Sequence, residues 1–171
     1  MTIYRSYSLI FKRLDKLKLK LLVFSFFMIG AIALSCKSGV LFDKIQSVPG
    51  ELWKKESAFS FDVTISDTIS PVDYYLTIRN TTDYRFSNLY LFIKTVFPNN
   101  THAKDTVECI LANPEGKWYG KGLSRIKENE ILLKKAIRFP RKGVYRFEIE
   151  QGMRVDPLPG IADIGIRIEK H

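Results

Sequence analysis

Two thiols, Cys36 and Cys109, are the side chains whose surroundings point most directly to chemistry. Cys36 follows Ala33-Leu34-Ser35, which ends an apolar run from Leu21 to Leu34 broken only by Ser25 and Gly30. A basic segment, Lys12 to Lys20, precedes that run. This is the layout of an export leader. Positive charge stays in the cytoplasm, the apolar stretch enters the bilayer as a helix, and small side chains let a peptidase reach the backbone. Leu34-Ser35-Cys36 resembles a lipobox, with Ala33 where leucine is commonest. The chemistry expected at Cys36 is therefore acylation: a diacylglyceryl thioether on sulfur and an acyl chain such as palmitate on the new N-terminus. Residues 1–35 are then a lipoprotein signal peptide. Each buried methylene contributes ~0.8 kcal/mol, so several chains together make an effectively permanent anchor. A transmembrane helix is the alternative, but the apolar run is shorter than the ~20 residues such a helix needs.

Cys109 reads differently. It shares parity with Val107 and Leu111 in Val107-Glu108-Cys109-Ile110-Leu111, which places it on the buried face of a strand as a small hydrophobe. No His or Cys stands near it in sequence, so it is expected to be an inert core thiol. His102, in a turn, and His171, the last residue, have no partner at ligand spacing. Gly116, Gly120 and Gly122 surround Lys117-Trp118-Tyr119 and Lys121 without the Gly-Lys-Ser/Thr ending of a phosphate loop. Glu148 and Glu150 lie two apart on one strand face, the usual pattern of a solvated edge. The sequence predicts no catalytic residue, no metal site, no cofactor and no enzymatic activity.

The net charge of +9 raises the question of nucleic acid. Before Cys36 there are six basic residues against Asp15 alone, a net +5, which leaves +4 for the remainder. That remainder holds no run of five like charges, so no nucleic-acid footprint is expected. Two features stay open as contact surfaces. Trp118-Tyr119 in its glycine-flanked loop is either an aromatic platform for a sugar or a protein partner, or a pair of rings that folds back to plug the end of the domain. Asp156-Pro157-Leu158-Pro159-Gly160 is rigid, which suits either binding or the ordering of a crossover.

The elements that must position these residues are strands. Period-two alternation recurs in Phe59–Ile65, Tyr74–Ile78, Leu89–Phe97, Lys104–Leu111, Ile131–Phe139, Val144–Gln151 and Ile164–Ile168, with turn clusters between them. Seven such strands predict an all-β, antiparallel β-sandwich of two sheets with three or four strands each, with barrel closure as the alternative. Aromatic residues, 13% of the chain, supply its core. The expected organisation is a signal peptide over 1–35, a lipidated tether over 36–57 partly packed on the domain through Phe42, Ile45, Val48 and Trp53, and the sandwich over 58–171.

Several stretches together carry a family resemblance. They are Arg79-Asn80-Thr81-Thr82-Asp83-Tyr84, Asn88 to Lys94, Glu108-Cys109-Ile110-Leu111-Ala112, Gly116 to Gly122, Glu148 to Arg154, Asp156 to Ile161 and Gly165 to Lys170. From about Phe42 to Lys170 the chain resembles the gliding-motility lipoprotein GldH family of Bacteroidetes. The resemblance implies a membrane-anchored cell-envelope lipoprotein required for gliding, a non-catalytic component or assembly factor whose partners are other envelope or gliding-machinery proteins. It carries over no functional residue beyond Cys36. It also implies an outer-membrane anchor facing the periplasm, because Lys37-Ser38-Gly39-Val40 follows the cysteine and the first acid is Asp43, whereas surface export in this group resembles a rule needing acids there. A carbohydrate-binding lipoprotein module is the alternative function.

Overall fold

The structure, a computed structural model, describes residues 39–171. The leader and Cys36 lie outside the described residues. Within them, alternation becomes burial with little loss. Strand β3 (Phe59–Ile65) buries every odd residue and exposes every even one. The other strands are β1 (Val40–Ser47), β2 (Leu52–Trp53), β4 (Val72–Thr81), β5 (Asn88–Val96), β6 (His102–Ile110), β7 (Ile126–Ile137), β8 (Gly143–Gln151), β9 (Leu158–Pro159) and β10 (Ile161–Lys170). One antiparallel sheet runs β1-β10-β4-β7 and the other β3-β8-β5-β6, with β2 and β9 forming a small pair beside them. The inward faces form one core, in which Leu76, Ile78, Leu91, Ile149, Ile164 and Ile166 are fully buried. Each contributes ~1.5–3 kcal/mol of apolar burial. The chain is an all-β antiparallel sandwich.

The seven expected strands are β3 to β8 and β10. The segment read as a tether, 36–57, differs from expectation. From Val40 it forms an edge strand paired with β10 from Val40↔Glu169 to Ser47↔Asp163. Most of its side chains are exposed, so no clean apolar rhythm announced it. It joins the sheet through backbone hydrogen bonding that β10 offers. The sandwich therefore begins at β1, before residue 58. Glu148 and Glu150 also depart from the expected edge. Strand β8 lies between β3 and β5, and the two carboxylates face outward to Lys94 (2.9 Å) and Lys104 (3.5 Å).

Register defines two ends. Val40, Val72, Ile137 and Lys170 share one, here the Gly39 end. Thr81, Asn88, Ile110, Ile126, Gln151 and Ile161 share the other, the loop end. The two flanks also differ. On one, β1 is joined to β3 by Gln46 Nε2 donating to the Ser60 carbonyl at 2.7 Å. On the other, β6 and β7 are the free edges of their sheets.

Candidate functional site

The loop end gathers most of the residues that the sequence singled out. Leaving β6, the chain hydrogen-bonds to the Ser87 carbonyl through the N–H groups of Leu111 (2.7 Å) and Ala112 (3.0 Å). Asn113 then closes a turn. Its Oδ1 accepts from the Lys117 N–H at 2.7 Å, and its own N–H donates to the Lys117 carbonyl. Trp118 bridges back to Ala112, and the Tyr119 N–H donates to the Leu111 carbonyl at 2.9 Å. Lys121 and Glu128 exchange two backbone hydrogen bonds of 2.8 Å, which fasten the loop to β7. Gly120 permits this approach: a Cβ there would stand 2.9 Å from Asn129 Nδ2. Among the described residues, no three His, Cys, Asp or Glu side chains gather as metal ligands.

The two adjacent aromatics part company. In extended backbone, neighbouring side chains point to opposite faces. Trp118 is half-buried against the core, 6.5 Å from the Tyr84 ring, which meets Phe86 edge-on at 5.6 Å. Tyr119 is 63% exposed and, with Ile110, Lys121 and Glu128, borders a surface depression of about 400 Å³. The two rings therefore do not form one platform. Leu123, further along the loop, is fully exposed.

Beneath the loop lies a set of buried polar anchors that sequence reasoning did not identify. Asn129 Nδ2 donates to Asn80 Oδ1 at 2.9 Å, and Asn80 Nδ2 donates to the Thr81 carbonyl at 2.9 Å; both asparagines are buried. Gln151 ties its own turn by donating to the Val155 carbonyl (3.0 Å) and accepting from the Met153 N–H (2.8 Å). A polar residue in an otherwise alternating strand, as at Asn129, is the signal that was present. Its partner Asn80 lies across the sheet and is invisible from local sequence.

Asp156–Gly160 has a structural task. Asp156 Oδ1 accepts from the Lys55 N–H (3.0 Å), β9 pairs with β2, and Gly160 exchanges hydrogen bonds with Glu51 and Thr81. Gly160 has φ 90°, and a Cβ there would lie 2.9 Å from Tyr84 Cα. The crossover clamps Trp53, which is 0% exposed and donates from Nε1 to the Ser57 carbonyl at 2.7 Å. Cys109 is fully buried and free, and burial, with Glu108 adding, pushes its thiol up to about 12. At neutral pH it stays protonated and unreactive.

These features define an antiparallel β-sandwich domain whose loop end is pinned by buried amides and interlocked crossovers. The chain belongs to the GldH lipoprotein family of gliding-motility lipoproteins, whose family model matches residues 40–168. It is 34% identical over 155 residues to the gliding motility lipoprotein GldH homolog of Christiangramia forsetii, covering 86% of this chain and 94% of that one. It is likewise 34% identical over 151 residues to the gliding motility lipoprotein GldH of Flavobacterium johnsoniae, covering 84% and 93%. Among solved structures it is similar to a non-crystalline cellulose specific carbohydrate-binding module, CBM28, with a TM-score of 0.36 and 14% identity over 75% of this chain and 72% of that one. Nothing about sugars carries over at that level of likeness.

Proposed function

We propose that this protein is a non-catalytic component of the gliding machinery, acylated at Cys36, anchored in the outer membrane facing the periplasm, and docked to another envelope protein through the exposed side of the loop from Gly116 to Leu123. The observation that carries the docking surface is a contrast within the loop. Its backbone is fastened at Ala112, Asn113, Leu111 and Glu128, while Tyr119, between Lys117 and Lys121, and Leu123 beyond them stay exposed. A preordered loop loses little entropy on binding, and an exposed tyrosine with basic neighbours is a common hot-spot composition. Trp118, half-buried on Tyr84, supports the loop from below.

Cys36 is three residues from Gly39, so an acyl anchor there would hold the Gly39 end within ~11 Å of the bilayer and direct the loop end away from it. The sandwich would then present Tyr119 towards proteins farther into the periplasm.

The test is crosslinking capture from membranes with Tyr119→Ala. Partner recovery is expected to fall by the equivalent of ~2 kcal/mol, a typical hot-spot loss, with thermal stability unchanged. Trp118→Ala is expected instead to lower stability while binding per folded molecule holds. Full capture by Tyr119→Ala would move the docking surface elsewhere. A specific hit on a glycan array without any stable protein partner would favour the carbohydrate-binding reading. Mass spectrometry of the mature N-terminal peptide should show acylated Cys36, and a Cys36→Ala protein recovered still acylated at its N-terminus would refute the anchor.

A further inference from the structure

Register brings three loops to the Gly39 end: 66–71 between β3 and β4, 97–101 between β5 and β6, and 138–142 between β7 and β8. Lys170 and His171 return there as well, their N–H groups donating to the carbonyls of Gly39 (2.8 Å) and Pro71 (3.0 Å). This end carries Lys135, Arg138, Arg141, Lys142 and Lys170, all exposed. None of the five is ion-paired among the described residues. Along the sandwich, in contrast, Arg79, Arg125, Arg146 and Arg167 each meet a carboxylate. The acids near the Gly39 end are already engaged. Asp67 Oδ1 accepts from the N–H groups of Ile69 (2.8 Å) and Ser70 (3.1 Å). Asp73 Oδ1 accepts from the Ala136 N–H (2.8 Å) and lies 3.0 Å from His171 Nδ1. Glu169 is taken by Arg167, and Asp105 by Lys134 at 3.9 Å.

The same end exposes apolar side chains. Ile69 is 80% exposed, Leu41 49% and Val40 37%. Single exposed aliphatic residues are ordinary on a protein surface, but here they share an end with the unpaired cations. The Ile69 tip is fixed, because its carbonyl accepts from Arg138 Nε at 2.8 Å. That bond ties the apolar tip to the basic 138–142 turn and leaves Arg138 Nη1 and Nη2 pointing at no partner among the described residues. The turn is itself held by Tyr145, whose hydroxyl donates to the Arg141 carbonyl at 2.9 Å. A surface ordered in advance loses little entropy on binding. The loop end is composed differently: its exposed cations Lys117, Lys121 and Arg154 stand among the exposed acids Glu56 and Glu115.

We propose that the Gly39 end is a membrane-seating face, on which Lys135, Arg138, Arg141, Lys142 and Lys170 meet the phosphates of anionic phospholipid headgroups while Ile69 and Leu41 enter the boundary between headgroups and acyl chains. This deepens the anchor proposed at Cys36 and rests on it for proximity, since Cys36 stands three residues before Gly39. Each cation near an anionic bilayer strengthens attachment roughly fivefold, and a guanidinium can pair with two phosphate oxygens at once. Acyl chains on a short tether hold the domain at the bilayer but leave its tilt free. A seated face fixes the tilt, and with it the direction in which the loop end projects.

The test reads contact rather than attachment. The full acylated chain with Ile69→Cys, labelled with nitrobenzoxadiazole, is reconstituted in phosphatidylethanolamine vesicles with or without phosphatidylglycerol. Quenching by a phospholipid spin-labelled near its headgroup is then measured. The label reaches position 69 alone, because Cys36 is acylated and Cys109 is buried. The same label on Leu123→Cys, at the loop end, is the control. Quenching is expected to be at least threefold stronger at position 69 than at 123 with phosphatidylglycerol present. It should fall at least threefold without that lipid or in high salt, which screens exposed charges. Arg141→Glu with Lys142→Glu is expected to lower it at least threefold with the thermal midpoint unchanged, whereas Arg141→Lys with Lys142→Arg should keep it. Flotation of the same samples reads the anchor separately. A chain that floats while position 69 is quenched no more than 123 keeps the anchor and overturns the face. A chain that fails to float in high salt, yet binds phosphatidylglycerol vesicles at low salt and loses that binding with Arg141→Glu and Lys142→Glu, supports the face and removes the anchor. Quenching that ignores both lipid charge and the reversed residues overturns the proposal.

Discussion

At the loop end, Asn80, Asn129 and Gln151 are buried polar side chains that each have hydrogen-bond partners, and Gly160 packs against Tyr84 with no room for a side chain. On the β6–β7 flank, a few strand residues away along the same β4, the Tyr74 hydroxyl has no partner among the described residues and the sheets stand apart. Both regions are built on the same core. In one, the buried amides answer one another and hold loops in place, although the Thr81 hydroxyl beside them has no partner among the described residues. In the other, bulges bend an edge strand, a cleft opens between β6 and β7, and the Tyr74 hydroxyl is buried without a partner. The difference shows why buried polarity alone does not mark a binding site. Where donors and acceptors match internally they serve the fold, and each region also keeps one buried hydroxyl without a partner among the described residues, Thr81 in one and Tyr74 in the other.

That contrast can be broken most severely at Trp53. Truncation to alanine removes a fully buried ring and its Nε1 hydrogen bond beneath the Asp156–Gly160 crossover. We expect a loss of ~3–5 kcal/mol in urea unfolding. A loss below 1 kcal/mol would show that the crossover does not depend on it.

Asn129→Ala tests whether the buried amides serve the fold. It leaves Asn80 Oδ1 without its donor, so ~1–3 kcal/mol should be lost. The double variant that also replaces Asn80 should lose less than the sum of the two single changes, since the pair is coupled. Strict additivity in a double-mutant cycle would contradict the hydrogen-bonded pair.

An effect confined to alkaline pH, and absent at neutral pH, is expected from titration of Cys109. Burial raises its thiol from the ordinary 9.0 to about 12, so above pH 9 the unfolded chain releases a proton that the folded chain keeps. Stability should therefore decline as pH rises from about 9 towards 12, with no contribution from this group below 9. Cys109→Ala should flatten that limb of the pH profile in thermal melts. An unchanged slope would place the titrating group elsewhere.

The alternation of β3, β5 and β8 was legible because burial on one face of a strand leaves a period-two trace in the residues themselves. Strand β1 left no such trace, since an exposed edge is specified by the strand beside it, and β2 and β9 are two residues each, too short for any period. Trp118 and Tyr119 were visible as aromatics in a glycine-flanked loop. Their opposite orientations follow from the bridge to Ala112, a contact made only after β6 has been placed.

What the sequence determined by itself is what near neighbours in the chain decide: the alternating strands, the turns between them, the buried side of Cys109, and the basic, apolar and small-residue order that ends at Cys36. Tertiary structure alone decided which edges remain free, which asparagine answers which across the sheet, and that β7 bulges beside Tyr74. The physical reason is range. Side-chain periodicity is written within a few residues, whereas the pairing of β4 with β7 joins residues some fifty positions apart, such as Asn80 and Asn129, and their matching polarity has no local signature.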